Sequence, residues 1–250
     1  MSSPTNVGAT IEGSAATILF STEGGLNVMS SEALERLATA VEAVRCAPEV
    51  RVTVLRGEGK VFVAGANIKE MAGFDADRAY AFSQRGNEVM DALASLPSIT
   101  VAVLNGAALG GGCEIALACD FRIATDTVKI GLPETSLGLI PGWGGTQRSL
   151  KLLGPIWGRR LVWSAVPLSA EEAVRIGLVD EVVTAEELDA AVERLRQRFV
   201  RGGPRAIAAA KRAFLTGDEP AAFRDCFGED ESREGMTAFI EKRKARWMEG

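Results

Sequence analysis

The stretch from Ile99 to Cys119, ITVAVLNGAALGGGCEIALAC, decides the fold. It begins with an almost entirely apolar run, Ile99–Leu104, which predicts a strand that is covered on both faces. Three consecutive glycines then lead to Glu114 and a second apolar run. A membrane span is a weaker interpretation, because the stretch contains Asn105 and Glu114 and lacks flanking basic clusters. The sequence therefore predicts a buried strand, a tight turn and a helix.

The same unit occurs in a weaker form further upstream. There, Val52–Leu55 leads through glycines to the small residues Ala64–Ala66. Each copy is typical of a strand that ends in a turn of small residues, and this turn opens a helix. The two copies together predict a repeated strand–strand–helix unit, which places the chain in the α/β class.

Strands and helices alternate along the first part of the chain, and the pattern becomes purely helical after Val183. This change predicts a core over residues 1–190 and a helical C-terminal segment over residues 191–250. Further strands are predicted at Ala15–Ser21, Val50–Arg56, Val61–Val63, Phe121–Thr125 and Val128–Ile130. Helices are predicted from a cap at Ser30 or Ser31, and over Asp77–Leu96, Thr146–Leu153, Gly158–Ser164 and Ala170–Ile176.

The composition excludes several classes of protein. Hydrophobic residues make up 47% of the 250 residues, enough for a substantial core, and the net charge of −5 argues against a general nucleic-acid binder. The four cysteines have no CxxC spacing and the chain has no histidine, so we expect no metal site. The N-terminus lacks the features of a signal peptide, and the thiols fit a reducing compartment. We therefore expect a cytoplasmic protein that binds neither membrane nor nucleic acid.

The absence of histidine restricts acid–base chemistry near neutral pH to carboxylates, lysines, cysteines or the single tyrosine. Glu114 and Glu134 stand 20 residues apart, each just after a turn and each within apolar sequence. Burial in such surroundings raises the pKa of a carboxyl group and makes proton transfer practicable. Taken alone, Glu114 also fits a helix-dipole partner and Glu134 a turn residue. Their joint occurrence with two glycine-containing turns favours a catalytic pair.

Two turns of small residues, Ala64–Ala66 and Gly110–Gly112, provide a second chemical clue. Backbone N–H groups at a helix N-terminus lack partners, and two such turns that converge on one carbonyl oxygen would form an oxyanion hole. The alternative is that the glycines only allow a strand and a helix to pack closely. A phosphate-binding loop is excluded because no lysine and hydroxyl follow the glycines, and a dinucleotide fold lacks its GxGxxG motif.

The chain resembles the crotonase (enoyl-CoA hydratase/isomerase) family in three segments that occur in the family's order: Phe62–Met71 (FVAGANIKEM), Asn105–Glu114 (NGAALGGGCE) and Pro133–Arg148 (PETSLGLIPGWGGTQR). The resemblance runs along nearly the whole chain. It implies an α/β superhelix of ββα units that forms the catalytic core, followed by a helical C-terminal trimerisation and lid region. It also implies a homotrimer or a hexamer built as a dimer of trimers.

The resemblance further implies an acyl-CoA thioester as substrate, with coenzyme A as part of the substrate and no separate cofactor. The N–H groups of Ala66 and Gly111 would hold the thioester oxygen as it becomes enolate-like. Two glutamates at these positions are similar to the hydratase members, so Glu114 would be the base towards water and Glu134 the acid that delivers a proton to Cα. Substrate contacts are implied for Leu26, Ala64, Asn67, Ile68 and Lys69, for Gly142 as a water-placing N–H, and for Phe239 and Lys242 across a subunit interface.

Three positions depart from the family pattern. Asn67 replaces an aspartate, which changes little if only its backbone matters. Gly24-Gly25 stands where many members place a basic residue near the CoA phosphates, so nucleotide contacts would be weaker. Trp143 replaces a small residue or phenylalanine, and would either narrow the acyl pocket or pack at a subunit face.

The main interpretation is a 2-enoyl-CoA hydratase, and the alternatives within the family are a Δ3,Δ2-enoyl-CoA isomerase or another acyl-CoA lyase or hydrolase. A nucleic-acid-binding member would need a basic helix, whereas residues 36–45 contain only two basic residues. A catalytically silent acyl-CoA binder conflicts with the intact glutamate pair. A Ser-His-Asp peptidase is excluded by the missing histidine.

Overall fold

The computed structural model describes residues 4–199, 201–228 and 230–248. Its strands are β1 (Asn6–Glu12), β2 (Ala15–Ser21), β3 (Val28–Met29), β4 (Val52–Gly57), β5 (Val61–Val63), β6 (Gly65–Ala66), β7 (Ile99–Leu104), β8 (Ala107–Leu109), β9 (Phe121–Thr125), β10 (Lys129–Gly131), β11 (Leu168–Ser169) and β12 (Glu181–Val183). Its helices are α1 (Ser31–Arg45), α2 (Ile68–Met71), α3 (Ala76–Ala94), α4 (Gly111–Ala118), α5 (Gly145–Trp163), α6 (Ala170–Arg175), α7 (Leu188–Phe199), α8 (Pro204–Thr216), α9 (Glu219–Phe227) and α10 (Asp230–Ile240). Two 3₁₀ turns are found at Pro133–Leu137 and Arg246–Met248.

The strands form a six-stranded sheet, a four-stranded sheet and a two-stranded pair. The larger sheet has the order β1-β2-β4-β7-β9-β12, with β1 antiparallel to β2 and the other neighbours parallel. The smaller sheet has the order β11-β10-β8-β5, and β3 pairs with β6. Each of the pairs β4–β5, β7–β8 and β9–β10 therefore gives its first strand to the larger sheet and its second to the smaller one, and helical structure follows. This arrangement confirms the predicted α/β superhelix of ββα units.

Strand β7 lies inside the larger sheet, and all six of its residues are buried. In its parallel register with β4, Leu55 pairs with Ala102, so the strands of the two predicted repeats are direct neighbours. One face of β7, which includes Leu104, belongs to the main core with α1 and α3. The other face, which includes Val103, packs in a second cluster with Leu195 of α7. The uninterrupted apolar sequence of this strand is explained by cover on both faces.

Two differences from the predicted elements have local causes. The sequence did not predict β1, because Val7 is its only fully buried residue and no clear alternation marks it. The predicted helices Thr146–Leu153 and Gly158–Ser164 correspond to the two parts of the single element α5, which are joined by a kink. The kink occurs at Gly154, which has a non-helical φ of 72°, and Pro155 follows it.

The C-terminal region is helical, as predicted, and α7 packs against the larger sheet. The boundary predicted after residue 190 falls inside α7, so the division into two regions stays a prediction, as does an oligomerisation role. Helix α8 is tied to the core by Lys211, whose Nζ donates to the carbonyl oxygen of Ser98 at 2.8 Å and pairs with Asp120 at 2.6 Å. In the described parts of the chain, no helix is long and apolar enough to cross a membrane.

Candidate active site

A cavity of about 330 Å³ lies where the N-terminus of α4 meets β6, α3 and the first 3₁₀ turn. Its wall contains seven of the predicted site residues: Ala64, Ala66, Ile68, Gly111, Glu114, Glu134 and Gly142. Most of the other lining side chains are apolar: Met71, Phe74, Ala79, Phe82, Leu137, Leu139, Ile140 and Trp143. An apolar cavity with a few convergent polar groups is typical of a small-molecule site. Among the described residues, no group of three His, Cys, Asp or Glu side chains is placed to hold a metal ion.

Glu114 lies in the first turn of α4 and is 2% exposed. Its Oε1 accepts hydrogen bonds from the backbone N–H groups of Trp143 at 2.7 Å and of Gly145 at 2.8 Å. Burial raises the pKa of Glu114 to about 7; the charge of Glu134 adds to this effect, whereas the two N–H bonds and Arg148 oppose it. A carboxyl group with this pKa can both accept and release a proton near neutral pH.

Glu134 is the second residue of the 3₁₀ turn that follows β10, and it is half-buried. Its Oε1 lies 3.1 Å from the position that a Cβ on Gly110 would take. Its Oε2 is buried and makes no hydrogen bond with any residue that the structure describes. Burial raises the pKa of Glu134, against the effect of its own backbone N–H. Because buried carboxylate oxygens are nearly always hydrogen-bonded, Oε2 is available to a water molecule or a substrate atom.

The raised pKa of Glu114 predicts that stability falls as the pH rises. A group whose pKa is higher in the folded state stabilises the fold fully below its unfolded pKa, and this contribution is lost as the pH rises through the folded pKa. For Glu114 the loss extends from about pH 4.5 to about pH 7, and it amounts to roughly 3 kcal/mol.

The Glu114→Gln substitution should therefore raise Tm relative to the wild type at about pH 8 but leave it nearly unchanged at about pH 4.5. Glutamine keeps the oxygen that accepts the two loop N–H groups but carries no charge to bury. Calorimetric unfolding of both proteins across this pH range measures the effect. A difference in Tm that does not change with pH would contradict the burial of an ionisable Glu114.

The turn that opens α4 is shaped by glycines. Gly110 has φ 52° and ψ −121°, a conformation that favours glycine. A Cβ on Gly112 would lie 2.1 Å from the carbonyl oxygen of Val63, so α4 begins in direct contact with β5. Gly111 is the first residue of α4, and its N–H therefore has no acceptor within the helix. Gly111 and Ala66 both line the cavity, as an oxyanion hole between the two turns requires.

Trp143 is 2% exposed and lines the cavity. Its ring lies edge to face with Phe82, at 5.3 Å between centroids. It also fills the space next to two glycines, because a Cβ on Gly86 would lie 1.9 Å from its Cδ1 and a Cβ on Gly111 would lie 2.6 Å from its Cζ3. Of the two roles considered for Trp143, the structure favours a pocket wall, since the side chain is buried within the single chain.

Asn67 and Lys69 flank Ile68, which lines the cavity, but they are not part of its wall. Asn67 is the N-cap of α2, and its Oδ1 accepts a hydrogen bond from the N–H of Glu70 at 3.3 Å. Aspartate and asparagine are both good N-caps. Asparagine in place of the family's aspartate is therefore compatible with the same cap at this turn.

Within the single chain, Leu26, Phe239 and Lys242 do not line the cavity. Leu26 is 57% exposed and lies in the turn before β3, and Phe239 is 86% exposed near the end of α10. Lys242 follows α10 with a positive φ of 56°. Their contacts with coenzyme A or with another subunit stay predictions.

The sequence did not indicate Phe74, Phe82 and Ser83, which line the cavity from the segment between α2 and the middle of α3. The rings of Phe74 and Phe82 pack edge to face at 5.4 Å and extend the aromatic wall that Trp143 begins. The sequence does contain one feature that could have drawn attention to this part of α3, namely Ser83 and Asn87. Such residues are disfavoured inside a helix because their side chains compete for backbone hydrogen bonds, so a pair of them in α3 indicates a specific role.

The enoyl-CoA hydratase/isomerase family model matches residues 10–250 of the chain. The chain belongs to this family. The crotonyl-CoA hydratase of Syntrophomonas wolfei is 40% identical over 234 residues, which cover 89% of this chain and 90% of the relative. The short-chain-enoyl-CoA hydratase of Clostridium acetobutylicum is 38% identical over 244 residues, which cover 93% of this chain and 94% of the relative.

Solved structures of enoyl-CoA hydratases have the same fold. The structure from Bacillus anthracis superposes with a TM-score of 0.88 at 33% identity and covers 96% of this chain and 98% of its own. A structure from Geobacillus kaustophilus gives a TM-score of 0.90 at 28% identity, and the match covers 99% of this chain and 98% of that structure's chain. These matches confirm the predicted crotonase fold, and membership of the family implies an acyl-CoA substrate.

Proposed function

We propose that the protein is an enoyl-CoA hydratase, which adds water syn across the 2,3 double bond of a 2-enoyl-CoA to give a 3-hydroxyacyl-CoA. The observation that carries the proposal is that Glu114 and Glu134 line one cavity beside the N-terminus of α4. Hydration needs one group to take a proton from water and another to deliver a proton to Cα, and two carboxyl groups with raised pKa values can supply both. The hydratase names of the two bacterial relatives support the same reaction.

Glu114 is the proposed base towards water. Both loop N–H groups donate to Oε1, so the carboxylate is held in one orientation while Oε2 receives the proton. Its pKa of about 7 leaves a substantial ionised fraction near neutral pH. The N–H of Gly142, which lines the cavity, would help to place the water.

Glu134 is the proposed acid that delivers a proton to Cα. Its Oε2 is buried without a hydrogen-bond partner among the described residues, which suits a group that contacts the substrate. Its raised pKa increases the protonated fraction that an acid needs. Two interacting carboxyl groups titrate as a pair, so we expect the pH dependence of hydration to report both together.

The thioester oxygen would be held by the N–H groups of Ala66 and Gly111, which lie in the walls of the same cavity. One such donor is worth about 2.7–4 kcal/mol of transition-state stabilisation. The positive end of the α4 dipole adds to the effect, because negative charge on the enolate oxygen develops beside it. Further substrate contacts are proposed for Leu26, Ala64, Asn67, Ile68 and Lys69 and, from a neighbouring subunit of a homotrimer or hexamer, for Phe239 and Lys242.

Hydration is tested by mixing the purified protein with crotonyl-CoA and following the absorbance of the conjugated enoyl thioester. We expect rapid loss of this absorbance and a product that is heavier by one water molecule in mass spectrometry. Boiled protein provides the control for spontaneous hydration.

Parallel assays with a 3-enoyl-CoA and with a thiol reagent separate the other reactions of the family. An isomerase would convert a 3-enoyl-CoA into the conjugated 2-enoyl form without a change in mass, and a thioester hydrolase would release free CoA that a thiol reagent detects. A protein that binds crotonyl-CoA and longer 2-enoyl-CoAs but hydrates none of them would contradict the proposal.

A further inference from the structure

The Gly142–Gly145 loop holds Glu114 and is itself held by α3. Two backbone N–H groups of this loop donate to Oε1 of Glu114. At the start of the loop, the carbonyl oxygen of Gly142 accepts hydrogen bonds from Ser83 Oγ at 2.5 Å and from Asn87 Nδ2 at 2.7 Å. Both donors lie in the interior of α3, so a surface of this helix faces the loop.

Arg148 fixes the next residue of the loop. Its Nη1 donates to the carbonyl oxygen of Trp143 at 2.7 Å, and its Nη2 forms an ion pair with Asp91. Asp91 lies four residues after Asn87, which lies four residues after Ser83. Residues with this spacing share one face of a helix. A single polar stripe on α3 therefore reaches the loop, partly through Arg148.

The ring of Trp143 adds a third attachment of the loop to α3. A Cβ on Gly86 would overlap the indole, so only a glycine at this position allows the ring to pack against the helix. Glycine, serine and asparagine are all unfavourable inside a helix. Helix α3 thus carries three such residues within five positions, Ser83, Gly86 and Asn87, and each of them contacts the loop that holds Glu114.

We propose that Asn87 and Arg148 are positioning residues, which set the orientation of the Glu114 carboxyl group through the Gly142–Gly145 loop. This rests on the proposed hydratase function, in which Glu114 takes a proton from water. Neither side chain is part of the cavity wall, so both act on the base rather than on the substrate. A displacement of about 1 Å at a reacting group can cost a factor of about 100 in rate, so modest movement of the loop is sufficient for a large effect.

The charges around Glu114 determine in which direction its pKa changes when the loop is disturbed. Glu134, on the 3₁₀ turn, raises the pKa of Glu114, whereas Arg148, on α5, lowers it. Cys113, beside Glu114 on α4, is buried, and burial raises the pKa of its thiol so far that it carries no charge near neutral pH. Asp91 pairs with Arg148. Loss of the loop N–H bonds or of the Arg148 charge therefore raises the pKa of Glu114 above about 7.

The test compares Asn87→Ala, Arg148→Met and Arg148→Lys with the wild type and with Gln84→Ala, a control on the exposed side of α3. In Asn87→Ala and Arg148→Met we expect kcat for crotonyl-CoA hydration to fall about 10- to 100-fold, with KM within about threefold, because the base is displaced while the substrate contacts remain. The acid limb of the pH profile of kcat/KM should move to higher pH in both variants. Gln84→Ala should behave as the wild type.

The variants separate position from charge. Asn87→Ala changes no charge, so a shift of its acid limb reports the orientation of the loop. Arg148→Lys keeps the charge but loses the planar guanidinium that bonds to both Trp143 and Asp91. Compared with Arg148→Met, it should therefore bring the pH of the acid limb closer to that of the wild type than it brings kcat. Unchanged kcat and an unchanged acid limb in Asn87→Ala and Arg148→Met would overturn the proposal. If circular dichroism shows that either variant is unfolded, Ser83→Ala removes one bond to Gly142 with little change of volume and should give the same shift in smaller measure.

A second measurement keeps this proposal separate from the proposed function. Infrared titration of the protein follows the protonated carboxyl band of Glu114, which is identified by its loss in Glu114→Gln. We expect this band to persist to higher pH in Asn87→Ala and Arg148→Met than in the wild type. A midpoint equal to that of the wild type would overturn the positioning role, whether or not the protein hydrates crotonyl-CoA. A shifted midpoint in a protein that hydrates no enoyl-CoA would uphold the positioning role and contradict only the proposed function.

Discussion

Glu114→Gln and Glu134→Gln should each lower kcat for crotonyl-CoA hydration by about 10²–10⁴-fold, with little change in KM. Glutamine has nearly the same size and keeps one oxygen, so the cavity and the loop bonds to residue 114 persist. It cannot exchange a proton at neutral pH, so each variant loses one of the two proton transfers. The thioester and the CoA portion are still bound, because neither carboxyl group holds them in the proposed arrangement.

Absorbance and product analysis at saturating crotonyl-CoA measure these effects, with Glu186→Gln as the matched control. Glu186 is an exposed turn residue, so its variant should retain wild-type kcat. Because the two carboxyl groups are proposed to act on one water molecule and one substrate, their effects should not add. The double variant should be little slower than the slower single variant. Retention of kcat within a few-fold in either single variant would exclude that residue from the proton transfers.

Local patterns were sufficient to predict the parts of the fold that depend on local causes. The apolar run of β7 predicted a strand buried on both faces, and the structure shows both faces covered. The glycines before Glu114 predicted a tight turn into a helix, since the positive φ of Gly110 and the close approach of Gly112 to Val63 both require glycine. Strand β1 was missed because an exposed edge strand needs little hydrophobic sequence.

The parts of the site that the sequence did not predict depend on contacts between distant segments. Asn87 and Gly142 are 55 residues apart, and nothing in either local sequence shows that one holds the other. The same is true of the two N–H groups that bind Glu114, which come from a loop about 30 residues further along the chain. The resemblance to a family named seven of the residues that line the cavity, together with five that do not. It did not indicate that α3 supports the loop, because the α3 residues that give this support, Ser83, Asn87 and Asp91, lie outside the three motifs.

Gly112→Ala should both destabilise the protein and remove most of the proposed hydratase activity. The added Cβ would lie 2.1 Å from the carbonyl oxygen of Val63 and 2.9 Å from its carbonyl carbon. These are backbone atoms, so no side-chain rotation relieves the clash, and α4 must move away from β5. Overpacking typically costs about 1–3 kcal/mol, and the upper end of this range corresponds to a decrease in Tm of roughly 6–12 °C. The same movement separates Gly111 from Ala66, the two proposed oxyanion donors, and loss of one such donor lowers kcat by about 10²–10³-fold.

Thermal unfolding and the crotonyl-CoA assay test both parts of this prediction, with Gly8→Ala as the control. A Cβ on Gly8, in the edge strand β1, meets no atom within 4 Å, so this variant should match the wild type in Tm and kcat. A Gly112→Ala protein with wild-type Tm and kcat would show that α4 and β5 can separate without damage to the fold or the site. A protein that keeps its Tm but loses kcat would show that the contact serves the oxyanion hole rather than the fold, because only the convergence of the two N–H groups would then depend on it.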